Sequence, residues 1–261
     1  MITLPRLSNR ELTFPDVHTA LEQPNGLLAH GGDLEPERLI AAYSRGIFPW
    51  FSHDEPILWW SPDPRMVFAT AKPHVPRRLR RWLRSCRWTI HADGAFAEVM
   101  RACAMPRGGH QGTWITGAMH LAYGRLHEIG HAHSIEIRDG DALIGGIYGV
   151  AVGRMFFAES MFSFRDHASK VALLALCRGL AQWEFPLLDA QMRSDHLVSL
   201  GGFELARHEF VLRVAGLVGA PPPPGGWNEH FSAIAPADLA SPIPLPLANA
   251  RDSALCSVAI V

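Results

Sequence analysis

Residues 133–160, HSIEIRDGDALIGGIYGVAVGRMFFAES, decide the fold. Three segments within this stretch alternate apolar residues with polar or small ones, and Asp139-Gly140 and Gly153 separate the segments. A period of two is typical of half-buried β-strands, and Asp-Gly between two such runs is a strong signal for a tight hairpin turn. The stretch therefore predicts an antiparallel meander of three strands.

Helix and strand patterns flank the meander. Before it, the sequence predicts an arginine-rich helix after Pro76, a helix capped by Asp93, and a helix that follows Thr116 and ends at Gly130. After it, the pattern predicts a helix over 166–183, a buried strand over 186–192, a short helix near 195–200 and a last strand over 204–214. This order is typical of an α+β, acyltransferase-like domain with a central sheet.

The chain changes character along its length. Residues 1–70 are rich in turn residues and contain one short helical pattern, which begins at Pro36 and stops at Gly46, so they predict a small N-terminal domain. Residues 71–235 carry the main domain. Residues 236–261 are rich in proline and alanine, and we expect a loosely ordered tail there.

Composition indicates a globular protein. The 261 residues are 48% hydrophobic and carry a net charge of −1, so any surface for nucleic acid must be a local patch. We expect a cytosolic protein without a membrane segment, because no apolar run has the length of a signal peptide or a transmembrane helix. The cysteines are far apart, which favours reduced thiols over disulfides or a zinc ribbon; they are Cys86, Cys103, Cys177 and Cys256.

The arginine-rich helix, PRRLRRWLRS, predicts a site for a polyanion. Its five arginines, Arg77, Arg78, Arg80, Arg81 and Arg84, lie within eight positions, and three of them share one helical face. A solvated surface helix usually mixes positive and negative charges, whereas this face repels itself unless an anion binds. Phosphate groups are the natural partner.

A possible zinc motif lies at the end of the following helical region. His127, Glu128 and His131 satisfy H-E-x-x-H, in which two histidines bind zinc and the glutamate acts as base, and Glu159 could be a third ligand. However, Gly130 lies inside the motif and strand alternation begins soon after it, so we expect His131 to lie off the helix. The competing interpretation is a helix C-terminus at which both histidines are favourable, and on that interpretation we expect no metal.

Nine motifs, taken together and in order, resemble the leucyl/phenylalanyl-tRNA–protein transferase family. They cover roughly residues 6–232 and read PNGLLAHGGDL (24–34), AAYSRGIFPWFS (41–52), ILWWSPDPR (57–65), GTWIT (112–116), RLHEIGHAHSIEI (125–137), GGIYGV (145–150), FFAESMFS (156–163), ASKVALLAL (168–176) and LLDAQ (187–191). The resemblance implies a small N-terminal domain joined to an acetyltransferase-like (GNAT) domain, and we expect a monomer in the cytoplasm.

The resemblance also implies an activity. Leucine or phenylalanine moves from an aminoacyl-tRNA to the N-terminal arginine or lysine of a protein, and the product is a degradation signal of the N-end rule pathway. No cofactor is expected, because aminolysis of an ester is downhill without ATP or metal. A tRNA-binding module without catalytic activity, and a zinc peptidase, remain the alternatives.

Site residues follow from the same resemblance. Trp50 and Trp114 are expected around the terminal adenosine, where a tryptophan can stack on an unpaired base, with Tyr123 near the same nucleotide. Trp59 and Trp60 are adjacent in an extended segment, point to opposite faces and are expected in the core. The side-chain pocket for leucine or phenylalanine is expected to be lined by Ile147, Phe156, Leu173, Leu176, Leu180 and Leu188.

The resemblance also implies that Glu159, Asp189 and Gln191 form the reacting centre. These residues occupy the ends of apolar strand-like segments, where a carboxylate is costly unless it meets a cation or hydrogen-bond donors. We expect Glu159 and Asp189 to receive the cationic side chain and the α-amine of the acceptor; the competing interpretation of each acid is a buried carboxylate that backbone groups or an arginine satisfy. Gln191 is expected to orient the amine or the ester carbonyl through its amide.

Overall fold

A computed structural model describes residues 4–106 and 113–243, and these residues form two sheets with helices around them. The smaller sheet contains β1 (Arg6–Leu7), β2 (Leu27–Gly31), β3 (Phe48–Pro49) and β4 (Leu58–Trp60) in the order β1-β2-β4-β3. Helix α1 (Pro36–Tyr43) connects β2 to β3 and begins, as the proline predicts, at Pro36.

The larger sheet has seven strands and carries the meander. Its strands are β5 (Arg65–Ala69), β6 (Thr89–Ala92), β7 (Ala132–Asp139), β8 (Ala142–Val152), β9 (Met155–Ser163), β10 (Leu187–Gln191) and β11 (Phe203–Leu205), in the order β11-β5-β10-β9-β8-β7-β6. All neighbouring strands are antiparallel except β9 and β10, which are parallel. The predicted meander is confirmed as β7-β8-β9, with turns at Gly140 and Gly153, both of which have positive φ.

Helices cover both faces of the larger sheet. They are α2 (Arg77–Leu83), α3 (Phe96–Cys103), α4 (Gly117–Glu128), α5 (Ala168–Gln182), α6 (Asp195–Ser199), α7 (Arg207–Leu217) and α8 (Trp227–Ser232). Side chains alternate between two cores, because neighbours along a strand point to opposite faces. Phe157 packs with the small sheet, α1, α3, α4 and α7, whereas Phe156 packs with α2, α5 and α8.

The last predicted strand is wrong. Only Phe203–Leu205 is extended, and Arg207–Leu217 forms helix α7. The buried residues of this helix are Arg207, Phe210 and Val214, which are spaced three and four positions apart as helical burial requires. Strands β5 and β6 were not expected, because both are short and follow irregular or helical sequence.

The predicted cap of α3 is also wrong. Helix α3 begins after Ala95, whose N–H donates to Glu136 Oε1 at 2.7 Å. Asp93 instead bonds the neighbouring strand: its Oδ1 accepts from the Ser134 N–H at 2.9 Å, and its Oδ2 lies 2.8 Å from His133 Nδ1. The other two helices of this region begin and end close to the predicted residues.

The C-terminal segment is folded as far as the structure describes it, in contrast to the loose tail that we expected from residue 236. A 3-10 turn, Pro236–Ala240, follows α8, and Leu239 and Ala240 are buried. Arg178 on α5 donates to the Asp238 carbonyl at 2.9 Å. Phe231 on α8 packs so closely on α5 that a Cβ at Gly179 would lie 2.2 Å from its ring.

Other expectations concern the thiols and the membrane. Cys103 and Cys177 are buried and Cys86 is half-buried, all three without a disulfide, whereas Cys256 lies outside the described residues. Burial raises the pKa of Cys177 to about 12. Over residues 4–106 and 113–243, no helix is both long enough and apolar enough to cross a bilayer.

Candidate active site

A cleft of about 200 Å³ opens between the small sheet and the C-terminal end of β10. One wall consists of Phe48, Pro49 and Trp50, and the opposite side carries Glu159 from β9 and Gln191 from β10. Trp114, Ala190 and Met192 complete the lining. Four of the predicted site residues therefore meet in one place, although the sequence separates them by as many as 141 positions.

The tryptophans divide as the sequence predicts. Trp59 is fully buried and its Nε1 donates to the Gly31 carbonyl at 2.8 Å, while Trp60 lies beneath Trp50 with 5.4 Å between the ring centroids. Trp50 keeps 39% of its surface exposed and borders the cleft, as half-buried Trp114 does. The expected core positions of Trp59 and Trp60 are confirmed. Trp50 and Trp114 present indole surface to the cleft.

Glu159 lies at the centre of a buried hydrogen-bond network. Tyr43 on α1 donates to its Oε1 at 2.7 Å, Tyr123 on α4 donates to its Oε2 at 3.1 Å, and Gln191 Nε2 donates to its Oε1 at 2.8 Å. The two tyrosine hydroxyl oxygens also contact each other at hydrogen-bonding distance. Because each hydroxyl carries one proton, one of the three contacts among the two tyrosines and Glu159 is made with a shared proton or with the proton of a protonated Glu159. Tyr123 is fully buried. Its hydrogen bond connects it to the cleft-lining Glu159, and its expected proximity to the terminal nucleotide stays a prediction.

Burial controls the protonation of this network. Desolvation raises the pKa of Glu159 from 4.5 to about 7, although the hydrogen bonds from Tyr43 and Tyr123 lower it. Burial, together with the charge of Glu159, raises the pKa of each tyrosine well above its usual value. Glu159 therefore changes its charge near neutral pH, whereas both tyrosines stay neutral donors.

Asp189 occupies a different environment from the expected one. It is fully buried, and both of its carboxylate oxygens bind Arg65: Nε donates to Oδ1 at 2.8 Å and Nη2 donates to Oδ2 at 2.7 Å. The expectation that Asp189 receives the acceptor's cation directly is therefore wrong, because a buried guanidinium already neutralises it. Glu159 is the acidic side chain that lines the cleft.

Gln191 adopts a strained backbone conformation that Asp189 supports. Its φ is +61°, in the left-handed region that residues other than glycine rarely adopt, and the register of β10 against β5 shifts between Asp189 and Gln191. The Gln191 N–H donates to Asp189 Oδ1 at 2.8 Å. This bulge turns the Gln191 side chain toward Glu159 and the cleft. Such local strain is characteristic of functional sites.

An apolar cavity of about 100 Å³ adjoins the cleft, and Glu159 and Ala190 line both. Three of the six expected pocket residues, Ile147, Leu173 and Leu188, line this cavity, together with Ala158, Ser160, Met161 and Leu197. The other three are buried in the same hydrophobic core without bordering the cavity; they are Phe156, Leu176 and Leu180.

The arginine-rich helix is exposed along the predicted face. Arg77, Arg78, Arg80, Arg81 and Arg84 are all exposed, whereas Leu79 and Leu83 are buried. Within the described ranges, none of these arginines forms an ion pair with an acidic side chain. Their charges therefore remain available to an anionic partner.

Comparisons with known proteins identify the family. The model of the leucyl/phenylalanyl-tRNA protein transferase family matches residues 67–215, and the model of its N-terminal domain matches residues 32–63. The first of these matches alone covers more than half of the chain. The chain belongs to this family.

Curated relatives carry the same name. A leucyl/phenylalanyl-tRNA–protein transferase of Xanthomonas campestris is 53% identical over 241 residues, which are 89% of this chain and 97% of that protein. One of Xanthomonas axonopodis is 55% identical over 87% of this chain and 93% of its own, and one of Thiobacillus denitrificans is 56% identical over 82% of this chain and 94% of its own. The similarity thus covers both the small sheet and the larger one.

The H-E-x-x-H motif does not have zinc-binding geometry. Helix α4 ends at Glu128 and Gly130 has a φ of +77°, so His131 lies off the helix as expected. His127 Nδ1 lies 2.8 Å from the Ala132 carbonyl and His131 Nδ1 lies 3.1 Å from the Ala151 carbonyl, so both rings bond the backbone. In the part of the chain that the structure describes, no three His, Cys, Asp or Glu side chains are grouped to bind a metal.

Two residues of the site were missed by sequence reasoning. Tyr43 and Arg65 both lie within motifs that carry the family resemblance, AAYSRGIFPWFS and ILWWSPDPR. An arginine beside prolines and a tyrosine on a short helix have no pattern of their own that indicates a site. Their partners, Glu159 and Asp189, are more than a hundred positions away.

Proposed function

We propose that this protein is an aminoacyltransferase that moves leucine or phenylalanine from aminoacyl-tRNA to the N-terminal arginine or lysine of acceptor proteins. The observation that carries the proposal is the cleft, where the exposed indole of Trp50 and the half-buried indole of Trp114 line one space with Glu159 and Gln191, beside an apolar cavity. This arrangement gives one site an indole surface on which a nucleobase can stack, a cavity for an apolar side chain, and polar side chains that can bind an amine.

The two halves of the donor fit the two compartments. The terminal adenine stacks between Trp50 and Trp114, a contact worth about 1–3 kcal/mol per base. The leucine or phenylalanine side chain enters the apolar cavity, where Ile147, Leu173 and Leu188 form its walls. Apolar walls discriminate by only about 1–3 kcal/mol per methylene, so methionine is a weak third donor.

The reaction is the aminolysis of an ester. The acceptor's α-amine attacks the ester carbonyl carbon, the bond from that carbon to the ribose oxygen breaks, and one proton passes from the amine to that oxygen. Glu159 accepts a hydrogen bond from the amine, and Gln191 orients the ester carbonyl with the N–H that does not bind Glu159. Positioning supplies much of the rate, because the amine and the ester are brought together as neighbours.

Asp189 acts indirectly in this proposal. Its charge is neutralised by Arg65, and it fixes the backbone of Gln191 through the bond to the Gln191 N–H. Glu159 then attracts the cationic side chain of the acceptor. It lines the cleft and is negatively charged when the pH is above its pKa of about 7.

The remaining parts follow the family. The exposed arginines of the arginine-rich helix bind phosphates of the tRNA acceptor region, and this role fits a positive face for which residues 4–106 and 113–243 supply no ion pair to an acidic side chain. The larger sheet and its helices correspond to a GNAT-like domain, and residues 1–70 to a small N-terminal domain. The protein works as a cytoplasmic monomer, and its product is a degradation signal of the N-end rule pathway.

The test is transfer of labelled leucine. Purified protein is incubated with leucyl-tRNA charged with labelled leucine and a peptide that begins with arginine, and a matched peptide that begins with alanine serves as control. We expect label on the arginine peptide alone. Label on neither peptide, together with retained tRNA binding, would support the non-catalytic module and contradict the transferase. Label on both would remove the proposed selection of a cationic N-terminus.

A further inference from the structure

Arg65 forms hydrogen bonds to chain segments on two sides of the cleft, although its own side chain does not line the cleft. On one side, its Nη1 donates to the Gly46 carbonyl at 3.0 Å, at the start of the segment that leads to Trp50. On the other side, it binds both oxygens of Asp189, whose Oδ1 also accepts from the Gln191 N–H at 2.8 Å. One guanidinium thus bonds the chain on both sides of the cleft without lining it.

The guanidinium of Arg65 is buried between two aromatic rings. The side chain is fully buried, and the guanidinium carbon lies 4.8 Å from the centre of the Phe48 ring and 4.7 Å from that of Phe210. Phe48 itself lines the cleft. A planar fork between two rings, with bonds in its plane to a carboxylate and a carbonyl, is a geometry that lysine cannot reproduce.

The strain at Gln191 explains why such a support is needed. Its left-handed backbone is unfavourable for a residue with a Cβ and persists only where neighbouring groups impose it. The bond from its N–H to Asp189 Oδ1 is one such constraint, and Asp189 is in turn oriented by Arg65. Loss of the fork would therefore move Gln191 relative to the wall that carries Trp50.

We propose that Arg65 is a positioning residue that sets the separation between the Trp50 wall and Gln191, and with it the approach of the acceptor amine to the donor ester. The proposal rests on the proposed function, since it assigns the residue a part in that reaction. Misplacement by about 1 Å can cost about 100-fold in rate. We therefore expect a kinetic effect of Arg65 that operates through Gln191.

The test is a double-mutant cycle of Arg65→Lys and Gln191→Ala, measured as kcat for leucine transfer at saturating leucyl-tRNA. We expect R65K to lower kcat by about 10- to 100-fold in the wild-type background and by less than about twofold once Gln191 is alanine. We also expect R65K to raise the KM for a minimal leucyl-adenosine donor, because the Trp50 wall shifts. Equal losses of kcat in both backgrounds, or no loss in either, would overturn the proposal.

A matched variant separates positioning from stability. Arg38 is another fully buried arginine, with Nε bonded to Asp33 at 3.0 Å and two bonds to backbone carbonyls, and none of these partners lines the cleft. We expect Arg38→Lys to lower the thermal midpoint comparably while kcat stays within about twofold. An equal fall of kcat in R38K would show that general loosening explains R65K.

A milder change keeps the proposal testable if R65K does not fold. Phe210→Leu removes one ring from the guanidinium but leaves the bonds to Asp189 and Gly46 in place. We expect a smaller fall of kcat, about threefold or more, which is again absent in the Gln191→Ala background. Wild-type transfer is measured first: if it is absent, the proposed function fails, whereas normal transfer with additive variants refutes the role of Arg65 alone.

Discussion

Replacing Glu159 with glutamine should remove a pH dependence of folding stability that the wild-type protein shows near neutrality. The amide fits the network: its oxygen can accept from Tyr43 and Gln191, and its NH₂ can donate to the Tyr123 oxygen in place of the bond that Tyr123 now donates. The variant thus keeps the shape and hydrogen bonding of the site but cannot ionise.

The magnitude follows from the pKa of Glu159, which burial raises from 4.5 to about 7. Because the folded state binds the proton more tightly, this group contributes stability that is fully present below pH 4.5 and is lost as the pH rises through about 7. The difference between 4.5 and about 7, at about 1.4 kcal/mol per pH unit, corresponds to about 3 kcal/mol. Most of this loss falls between about pH 5 and pH 8.

The assay is urea unfolding followed by tryptophan fluorescence at a series of pH values. The quantity of interest is the free energy of unfolding of Glu159→Gln minus that of the wild type, because other titrating groups cancel in this difference. We expect the difference to rise by about 2–3 kcal/mol from about pH 5 to pH 8, in favour of the variant.

A second variant tests whether the pKa of Glu159 causes this pH dependence of stability. The Tyr43 hydrogen bond lowers the pKa of Glu159, so Tyr43→Phe should raise that pKa further and move the loss of stability to higher pH. A difference between Glu159→Gln and wild type that stays constant within about 0.5 kcal/mol over this range would refute the raised pKa.

Three further predictions concern the donor and the absence of a metal requirement. Replacing Arg77, Arg81 and Arg84 with alanine should raise the KM for leucyl-tRNA and flatten its salt dependence, while transfer from leucyl-adenosine is unchanged, since the short donor lacks the phosphates. Trp114→Ala should weaken leucyl-adenosine and full leucyl-tRNA equally, by about 1–3 kcal/mol, and an effect on the tRNA alone would contradict the stacking role. Dialysis against a chelator should leave the transfer rate unchanged, and recovery of a lost rate by added zinc would support the H-E-x-x-H interpretation.

Local pattern accounts for the elements that were predicted correctly. The meander was predictable because Asp139-Gly140 and Gly153 mark its turns and the strands between them alternate. Helix α7 was missed although Arg207, Phe210 and Val214 have helical spacing, because the buried member at its start is an arginine. Its guanidinium donates to the carbonyls of Ser61 and Val17, which no local pattern reveals.

The residues of the site were predicted from the family motifs, but the hydrogen bonds and ion pairs among them were not. Sequence reasoning placed Trp50, Glu159 and Gln191 at the site, and the structure brings them together. It assigned Asp189 to the substrate on the strength of the family resemblance, whereas the structure has the competing arrangement, a buried carboxylate satisfied by an arginine. The partner, Arg65, lies 124 positions away, and such a pairing follows only from the order of β5 and β10 in the sheet.

The packing of α8 on α5 has a consequence for the nascent chain. Trp227 stacks on His133 of β7 at 3.8 Å, and Phe231 fills the space above Gly179, so residues near the end of the described chain complete a core whose other parts are made much earlier. Until α8 has been synthesised, the apolar face of α5 around Gly179 has nothing to cover it. Because exposed apolar surface makes folding intermediates prone to aggregation, the growing chain is vulnerable to aggregation during this interval. A stop codon ahead of Trp227 would make that state permanent, whereas one after residue 243 would keep the residues that form the Trp227–His133 and Phe231–Gly179 contacts.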